Sequence, residues 1–402
     1  MIRELAINLY LLAFRIVFSV CKLFPMQKKT VFVASFGDNI FRTMQEVQKQ
    51  TDDQIVVLKT PSCQQAFHGG DYLVRNFETG NLIDWFKGIY HLASAKHIFI
   101  DNYFGFLAAC RFKAGVRCIQ LWHADGAIKQ FGLQDPSNAK RTNQALKRFK
   151  EVYDHFTDIV VGSEKMAHIF GQSFGATDER MLRTGIPRTD FFFDRAEMDH
   201  ALEKLRQEFP VIRDKKVMLY APTFRDHELH APSIALDMDK LYRTLRHEYV
   251  VFLRLHPAVH NYFENKYPGF IYNVSNGFSV NELLLAADLL VTDYSSIPFE
   301  YALLNRPMIF YAYDLEDYAA ARGFTDSYEE MVPGPIARST DDVIDIVRTG
   351  QFDLEKVRQF AAEWNEYSTG NASENLVQAI YHPARVIQPE PEPEPEKAEQ
   401  NA

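Results

Sequence analysis

The sequence predicts an α/β protein with two Rossmann-like, doubly wound parallel sheets facing each other across a cleft, preceded by a helix at a membrane interface. Three observations carry this reading. Short apolar runs recur along the chain, as in parallel strands buried on both faces. Stretches of helical spacing separate most of them, so the sheets are covered by helices. The alternation restarts at Lys215 and runs to about Thr349, which divides 402 residues, 47% of them hydrophobic, into two units with sizeable cores.

Residues 1–25 come first. Their polar members Glu4, Asn8, Arg15, Ser19 and Lys22 recur along one stripe of an otherwise apolar segment, the pattern of a helix lying in the membrane interface. A spanning helix would place Arg15 near mid-bilayer. A signal peptide lacks its basic start and cleavage site here. A buried helix of the first domain is the remaining alternative. The interfacial reading implies that residues 1–25 can be removed without loss of the fold.

Residues 26–190 form the first unit. Its strands are expected at Thr30–Phe36, Ile55–Thr60, Asp71–Asn76, His97–Asn102, Cys118–His123, Asp158–Ser163 and Met181–Pro187, with helices over Asn81–Ala95 and Glu164–Phe174. A linker near Pro187–Pro210 leads to the second unit, residues 191–383. There Lys215–Asp226, Tyr249–Pro257, Leu289–Val291 and Pro307–Tyr311 read as strands, and Leu354–Tyr381 as a helix pair that crosses back to brace the two units. The acidic Pro-Glu run of residues 384–402 has no apolar anchor and reads as an extended, disordered tail.

A net charge of -9 and the absence of basic tracts argue against nucleic acid as a partner. Cys21, Cys63, Cys110 and Cys118 are widely spaced in mostly apolar surroundings and read as reduced thiols, without zinc-ligand spacing. No G-x-G-x-x-G follows a strand, which disfavours a nicotinamide or flavin dinucleotide. No cofactor or metal is expected; the protein's own cations and amides would stand in for a metal.

The chemistry is expected at the strand ends, where doubly wound sheets bind ligands. Thr292, Asp293, Tyr294, Ser295 and Ser296 follow the Leu289 strand and precede a helix containing Glu300, which suits an anion such as a diphosphate; an ordinary helix cap is the plainer alternative. Thr223 and Arg225 end one neighbouring strand, and Arg254 and His256 another, where they could hold a diphosphate and offset charge on its leaving oxygen. In the first unit Trp122 and His123 end a strand and are followed by Asp125, Gly126 and Lys129. A histidine beside a carboxylate suits a general base acting on an alcohol, and Gly126 permits close approach of a ligand.

WHADGAIKQFG, APTFRD, LRLHP, TDYSSIPFEYALLNRPMIFYAYDLEDY, RGF and VPGPI, in that order, resemble the CDP-glycerol glycerophosphotransferases of wall teichoic acid synthesis. The likeness runs from about Val31 to Leu376, and length and the N-terminal helix are most similar to the primase branch. The resemblance implies a GT-B-like pair of domains, with CDP-glycerol on the second and an undecaprenyl-diphosphate-linked disaccharide entering along the first from the membrane side. Attack at the β-phosphorus would expel CMP. His123 falls on the family's essential histidine after tryptophan, and His256 on that before proline, a diphosphate contact. Asp293 to Ser296 match its donor-binding segment, and Thr223 and Arg225 its threonine and arginine. Ala124, Asp125 and Gly126 replace the glycine-threonine-proline usual in polymerases, which adds Asp125 as a rival or helper base. The implied place is the cytoplasmic face of the membrane, with other teichoic acid enzymes as possible partners. A poly(glycerol phosphate) or ribitol-phosphate transferase, and a non-catalytic CDP-binding scaffold, are the alternatives.

Overall fold

The apolar runs of the first half pair side by side as β1 (Lys29–Ala34), β2 (Gln54–Lys59), β3 (Leu73–Asn76), β4 (His97–Ile100), β5 (Arg117–Gln120), β6 (Asp158–Val160) and β7 (Met181–Leu182). All neighbours are parallel, in the order β3-β2-β1-β4-β5-β6-β7. The second sheet comprises β8 (Lys216–Ala221), β9 (Tyr249–Leu253), β10 (Ile271–Asn273), β11 (Leu289–Thr292), β12 (Met308–Tyr311) and β13 (Ile336–Ala337), again parallel, in the order β10-β9-β8-β11-β12-β13. These features come from a computed structural model that describes residues 2–223, 225, 234–255 and 265–382. His256 and the acidic run of residues 384–402 lie outside the described residues.

In each sheet the chain starts centrally, winds outward and then returns to the other side. The reversal falls between β1 and β4 in the first sheet and between β8 and β11 in the second, which opens a crevice at the carboxyl edge of each. Strands buried on both faces explain the unbroken apolar runs: Val31, Val33, Val56, Ile98 and Ile100 are all inaccessible to solvent. Of the four free cysteines, Cys63, Cys110 and Cys118 are buried and Cys21 is half-buried.

The linker is itself structured, as a 3₁₀ segment Pro187–Phe193 and a helix Arg195–Glu208. That helix touches both units: Lys204 lies 2.9 Å from Glu282, and Glu197 receives both terminal nitrogens of Arg42 from the helix Asp38–Gln50. The closing pair also joins the units. Helix Leu354–Trp364 sets Trp364 against Phe299, with ring centroids 4.5 Å apart. Helix Ala372–Tyr381 returns to the first sheet, where Leu376, Val377 and Ile380 pack in one core with Phe32, Ile55 and Ile119.

The N-terminal helix, Ile2–Cys21, departs from expectation. Its polar stripe faces the protein: Glu4 accepts both terminal nitrogens of Arg148 at 2.7 and 3.2 Å, Asn8 accepts from Gln144 at 3.2 Å, and Arg15 donates to the Ala108 carbonyl. Phe14 and Phe18, 0% and 1% exposed, pack on Trp85, Phe106 and Phe112. Leu5, Leu9, Leu12, Ile16 and Val20 face outward, and Leu82, Ile83 and Phe86 of the helix Leu82–Ser94 are likewise exposed. Arg3–Cys21 could cross a bilayer by length and composition alone. Its commitments to the protein body instead make it a docked helix with an exposed apolar stripe. Its removal would strip the cover from Trp85, Phe106 and Phe112, so truncation is expected to cost the fold stability rather than leave it untouched. Phe14→Ala is expected to lower the unfolding free energy by ~3 to 5 kcal/mol, the usual cost of a large cavity. Leu9→Ser, on the exposed stripe, should change it by no more than ~0.5 kcal/mol in the same urea titration.

Candidate active site at the junction of the two sheets

Three central strands of the first sheet end in polar residues that hold one another. Asp101, just past β4 and 1% exposed, accepts the backbone N–H groups of Ser35 (2.9 Å), Phe36 (3.0 Å) and Gly37 (2.8 Å) beyond β1. Gly37 precedes the helix Asp38–Gln50 with φ 105°, a conformation that favours glycine. Such a turn commonly cradles a phosphate. Here the protein's own carboxylate fills it. Burial pushes the Asp101 pKa up to about 6, although the three amide bonds pull the other way.

The carbonyl of the same residue lies 3.1 Å from His123 Nδ1. A carbonyl can only accept, so Nδ1 carries the proton and Nε2 keeps its lone pair. The imidazole is sandwiched between Phe36 (centroids 4.1 Å, planes 9° apart) and Trp122 (4.4 Å, 30°). Trp122 adopts a left-handed φ of 55°, costly for a bulky residue. It is held there by Gln120, which accepts its N–H at 2.8 Å, and by Asn39, which donates to its carbonyl at 3.0 Å. Burial, helped by the charges of Arg188 and Lys129, lowers the His123 pKa to about 4 against the opposing bond to Asp101. The ring is neutral at pH 7.

Arg188, at the start of the linker, ties the two sheets together. Its Nη1 donates to the His123 carbonyl at 2.9 Å, its backbone N–H to Asn39 at 3.0 Å, and its carbonyl accepts from Asn281 of the second unit at 2.9 Å. Its guanidinium pairs closely with Glu300 and lies 3.8 Å from Asp125. Both carboxylates are buried, at 1% and 0% exposure. The loop after His123 docks on the same second unit. Ile128 and Gln130 exchange backbone hydrogen bonds with Thr325 and Gly323, and Lys129 bridges to Phe324 with its ammonium 6.0 Å from the Tyr318 ring. A Cβ on Gly126 would stand 2.5 Å from the Phe299 ring. The close approach that Gly126 permits is therefore to Phe299, a correction to its expected ligand contact.

On the second sheet four of the expected diphosphate residues, Thr292, Asp293, Arg225 and Glu300, have partners inside the protein. Thr292 donates to the Ala221 carbonyl at 2.7 Å. Asp293 accepts the N–H groups of Thr223 and Tyr294 and an Arg225 nitrogen at 3.1 Å. Arg225 also grips Asp314 through two nitrogens at 2.8 and 2.9 Å and lies over Tyr294 and Tyr318. Asp293 and Arg225 pair with each other, Thr292 is tied to Ala221, and Glu300 pairs with Arg188. The charges of Asp293, Arg225 and Glu300 are thus paired inside the protein. Ser295 and Ser296 are half-buried at the head of the helix Ile297–Tyr301, where Ser295 Oγ accepts the Ile297 N–H at 3.3 Å. Arg254 differs from Arg225: its Nη1 is buried without a hydrogen-bond partner among the described residues. Burial lowers its pKa, and Asp38 of the first unit is the opposing charge.

The family model for CDP-glycerol:poly(glycerophosphate) glycerophosphotransferase matches residues 18–382. The chain belongs to this family. As a CDP-glycerol glycerophosphotransferase it is a transferase of teichoic acid biosynthesis. It is 36% identical over 385 residues to the teichoic acid glycerol-phosphate primase of Bacillus subtilis (strain 168), covering 94% of this chain and 98% of that one. It is 39% identical over 299 residues to a teichoic acid poly(ribitol-phosphate) polymerase of Bacillus spizizenii, covering 73% of this chain and 48% of the polymerase. The fold is similar to that of the wall teichoic acid polymerase TagF in a histidine-to-asparagine variant with CDPG, at a TM-score of 0.78, 24% identity, and 94% and 97% coverage.

Sequence reasoning passed over Asp101, Arg188, Asn39 and Phe36 in this glycerophosphotransferase. Asp101 was detectable, since it ends a strand beside others whose end residues were considered. Asp125 is buried against Arg188, while the imidazole takes its orientation from Asp101. A ring-nitrogen NMR titration of His123 is expected to show a neutral, Nδ1-protonated ring from pH 8 down to pH 5. The depressed pKa means that the unfolded chain takes up this proton first as the pH falls from the ordinary value of ~6.5. The group therefore lowers folding stability as the pH drops through that window to about 4. A His123 midpoint near 6.5 would contradict the geometry.

Proposed function

We propose that the chain is a teichoic acid glycerol-phosphate primase. It would transfer one glycerol 3-phosphate from CDP-glycerol to the sugar hydroxyl of an undecaprenyl-diphosphate-linked disaccharide. The observation that carries this reading is the His123 imidazole, neutral and locked with Nε2 as acceptor, at the junction that also holds an Arg254 nitrogen without a hydrogen-bond partner among the described residues. Nε2 takes the acceptor's hydroxyl proton as the oxygen attacks the β-phosphorus. The bond between that phosphorus and the CMP oxygen breaks, and CMP leaves with its electron pair. Arg254 offsets the charge that develops, and the negative donor raises the His123 pKa toward the working pH. Such a transfer needs positioning and charge stabilisation.

Ser295, Ser296 and the Thr223 hydroxyl, with His256, complete the donor side in this reading, on a second domain of residues 191–383. The acceptor side is the first domain, residues 26–190, in a GT-B-like arrangement. Asp101 and Asp125 are positioning residues, the first for the imidazole and the second for Arg188. The exposed stripe of the N-terminal helix holds the enzyme at the cytoplasmic face of the membrane. Primase activity is supported by likeness to a primase along nearly its whole length; polymerase activity by the 39% identity to a polymerase.

Incubation with CDP-glycerol and the lipid disaccharide, followed by mass analysis, tests the reading. A single added unit is expected. A ladder would assign a polymerase, a product only with CDP-ribitol a different donor, and CDP binding without product a scaffold. His123→Ala should lose turnover by ~100- to 10,000-fold, the usual contribution of a positioned base, with CDP-glycerol affinity retained. Asp101→Asn should lower kcat while leaving the donor KM, and shift the His123 ring-nitrogen signals. A fall in turnover without that shift would remove Asp101 from the positioning role.

A further inference from the structure

A cavity of about 480 Å³ lies between the first three turns of the N-terminal helix and the body of the first unit. Its apolar wall includes Ile7, Leu11, Phe106 and Phe149, and Tyr10 and Tyr103 add rings with a polar tip. Its cations are Arg3, Lys140, Arg141 and Arg148. Glu4 neutralises Arg148 through the paired hydrogen bonds already described. The other carboxyl on the wall, Glu78, is exposed at its rim and offsets only one of the remaining cations. Arg3, Lys140 and Arg141 thus leave an excess of positive charge over an apolar floor. Glu78 also has a left-handed φ of 53°, a conformation that costs energy and often marks a ligand site.

The position of the cavity relates it to the transfer site. Tyr103 follows Asp101, whose carbonyl holds His123, by two residues, and Asn102 between them donates to Ser35 at 3.2 Å. The loop that begins at His123 ends at Lys140 and Arg141, where Thr142 caps the helix Asn143–Tyr153 by accepting the Ala145 N–H. On the other side of the same helical turns, Leu5, Leu9 and Leu12 are exposed. The cavity therefore lies under an exposed apolar stripe and is lined by Tyr103, Lys140 and Arg141 from the two chain segments that lead to the His123 site.

We infer that this cavity binds the prenyl diphosphate portion of the acceptor, with Arg3, Lys140 and Arg141 on the diphosphate and the first isoprene units against Leu11, Tyr103 and Phe149. The inference rests on the proposed reading for the identity of the acceptor. The binding it describes can be measured without turnover. Aromatic and aliphatic walls suit an apolar chain, and guanidinium groups suit phosphate oxygens. Neither a free phosphate nor a plain hydrocarbon would use both halves.

The test is calorimetric titration of the full chain with farnesyl diphosphate. Saturable binding is expected, tighter than that of inorganic diphosphate or farnesol. The exposed pair Lys140→Glu/Arg141→Glu should weaken it by about tenfold or more, the equivalent of one charge-assisted hydrogen bond, with CDP-glycerol affinity unchanged. In turnover the same variant should raise the KM for the lipid acceptor at constant kcat. Unchanged farnesyl diphosphate affinity in the variant would overturn the inference, as would inorganic diphosphate binding equally tightly. If wild-type protein shows the farnesyl diphosphate behaviour without transferring glycerol phosphate, the cavity assignment stands and the primase reading fails.

Discussion

The placement of Arg188 between two buried carboxylates is the constraint on which the site depends. Asp125 belongs to the loop after β5 and Glu300 to the helix after β11, so one guanidinium binds the carboxyl edges of both sheets. Neither acid is exposed, and each would be costly to bury alone. The same arginine donates to the His123 carbonyl, so the pairing that joins the sheets also fixes the backbone of the candidate base. Closure of the junction and orientation of the histidine are thus one event.

The second sheet applies similar logic to a different end. Arg225 is surrounded by Asp293, Asp314 and three tyrosine rings and makes four hydrogen bonds inside the protein among the described residues. Arg254, from the neighbouring β9, has a buried nitrogen without such partners. Two strand-end arginines that look alike in sequence therefore divide into a structural residue and a candidate ligand contact. On the first sheet Asp101 fills the turn that in other proteins commonly cradles a phosphate.

Both parallel sheets were legible because their central strands are buried on two faces and read as unbroken apolar runs. β10 and β13, of three and two residues, are too short to leave such a pattern. His123 and Arg254 were singled out by the rule that ligands gather at strand ends, and both lie at the junction of the two sheets. The same rule pointed to Thr292, Asp293, Arg225 and Glu300 but did not reveal that each has a partner inside the protein, because it cannot tell a group facing a crevice from one paired inside. The roles of Asp101 and Arg188 rest on partners 22 to 112 residues away, His123 and Glu300 at the two extremes, and no local pattern encodes those contacts. Nor did the apolar N-terminal stretch disclose that its polar stripe would face Arg148 and Gln144.

The charge at the junction can be tested by removing it in parts and measuring urea unfolding. Arg188→Met alone leaves Asp125 and Glu300 buried without their cation, and should cost ~3 to 5 kcal/mol. Adding Asp125→Asn and Glu300→Gln to the same chain removes the stranded charges and should recover most of that loss. A single Arg188→Met variant as stable as the parent, or a triple variant no more stable than the single, would contradict a junction organised by this arginine.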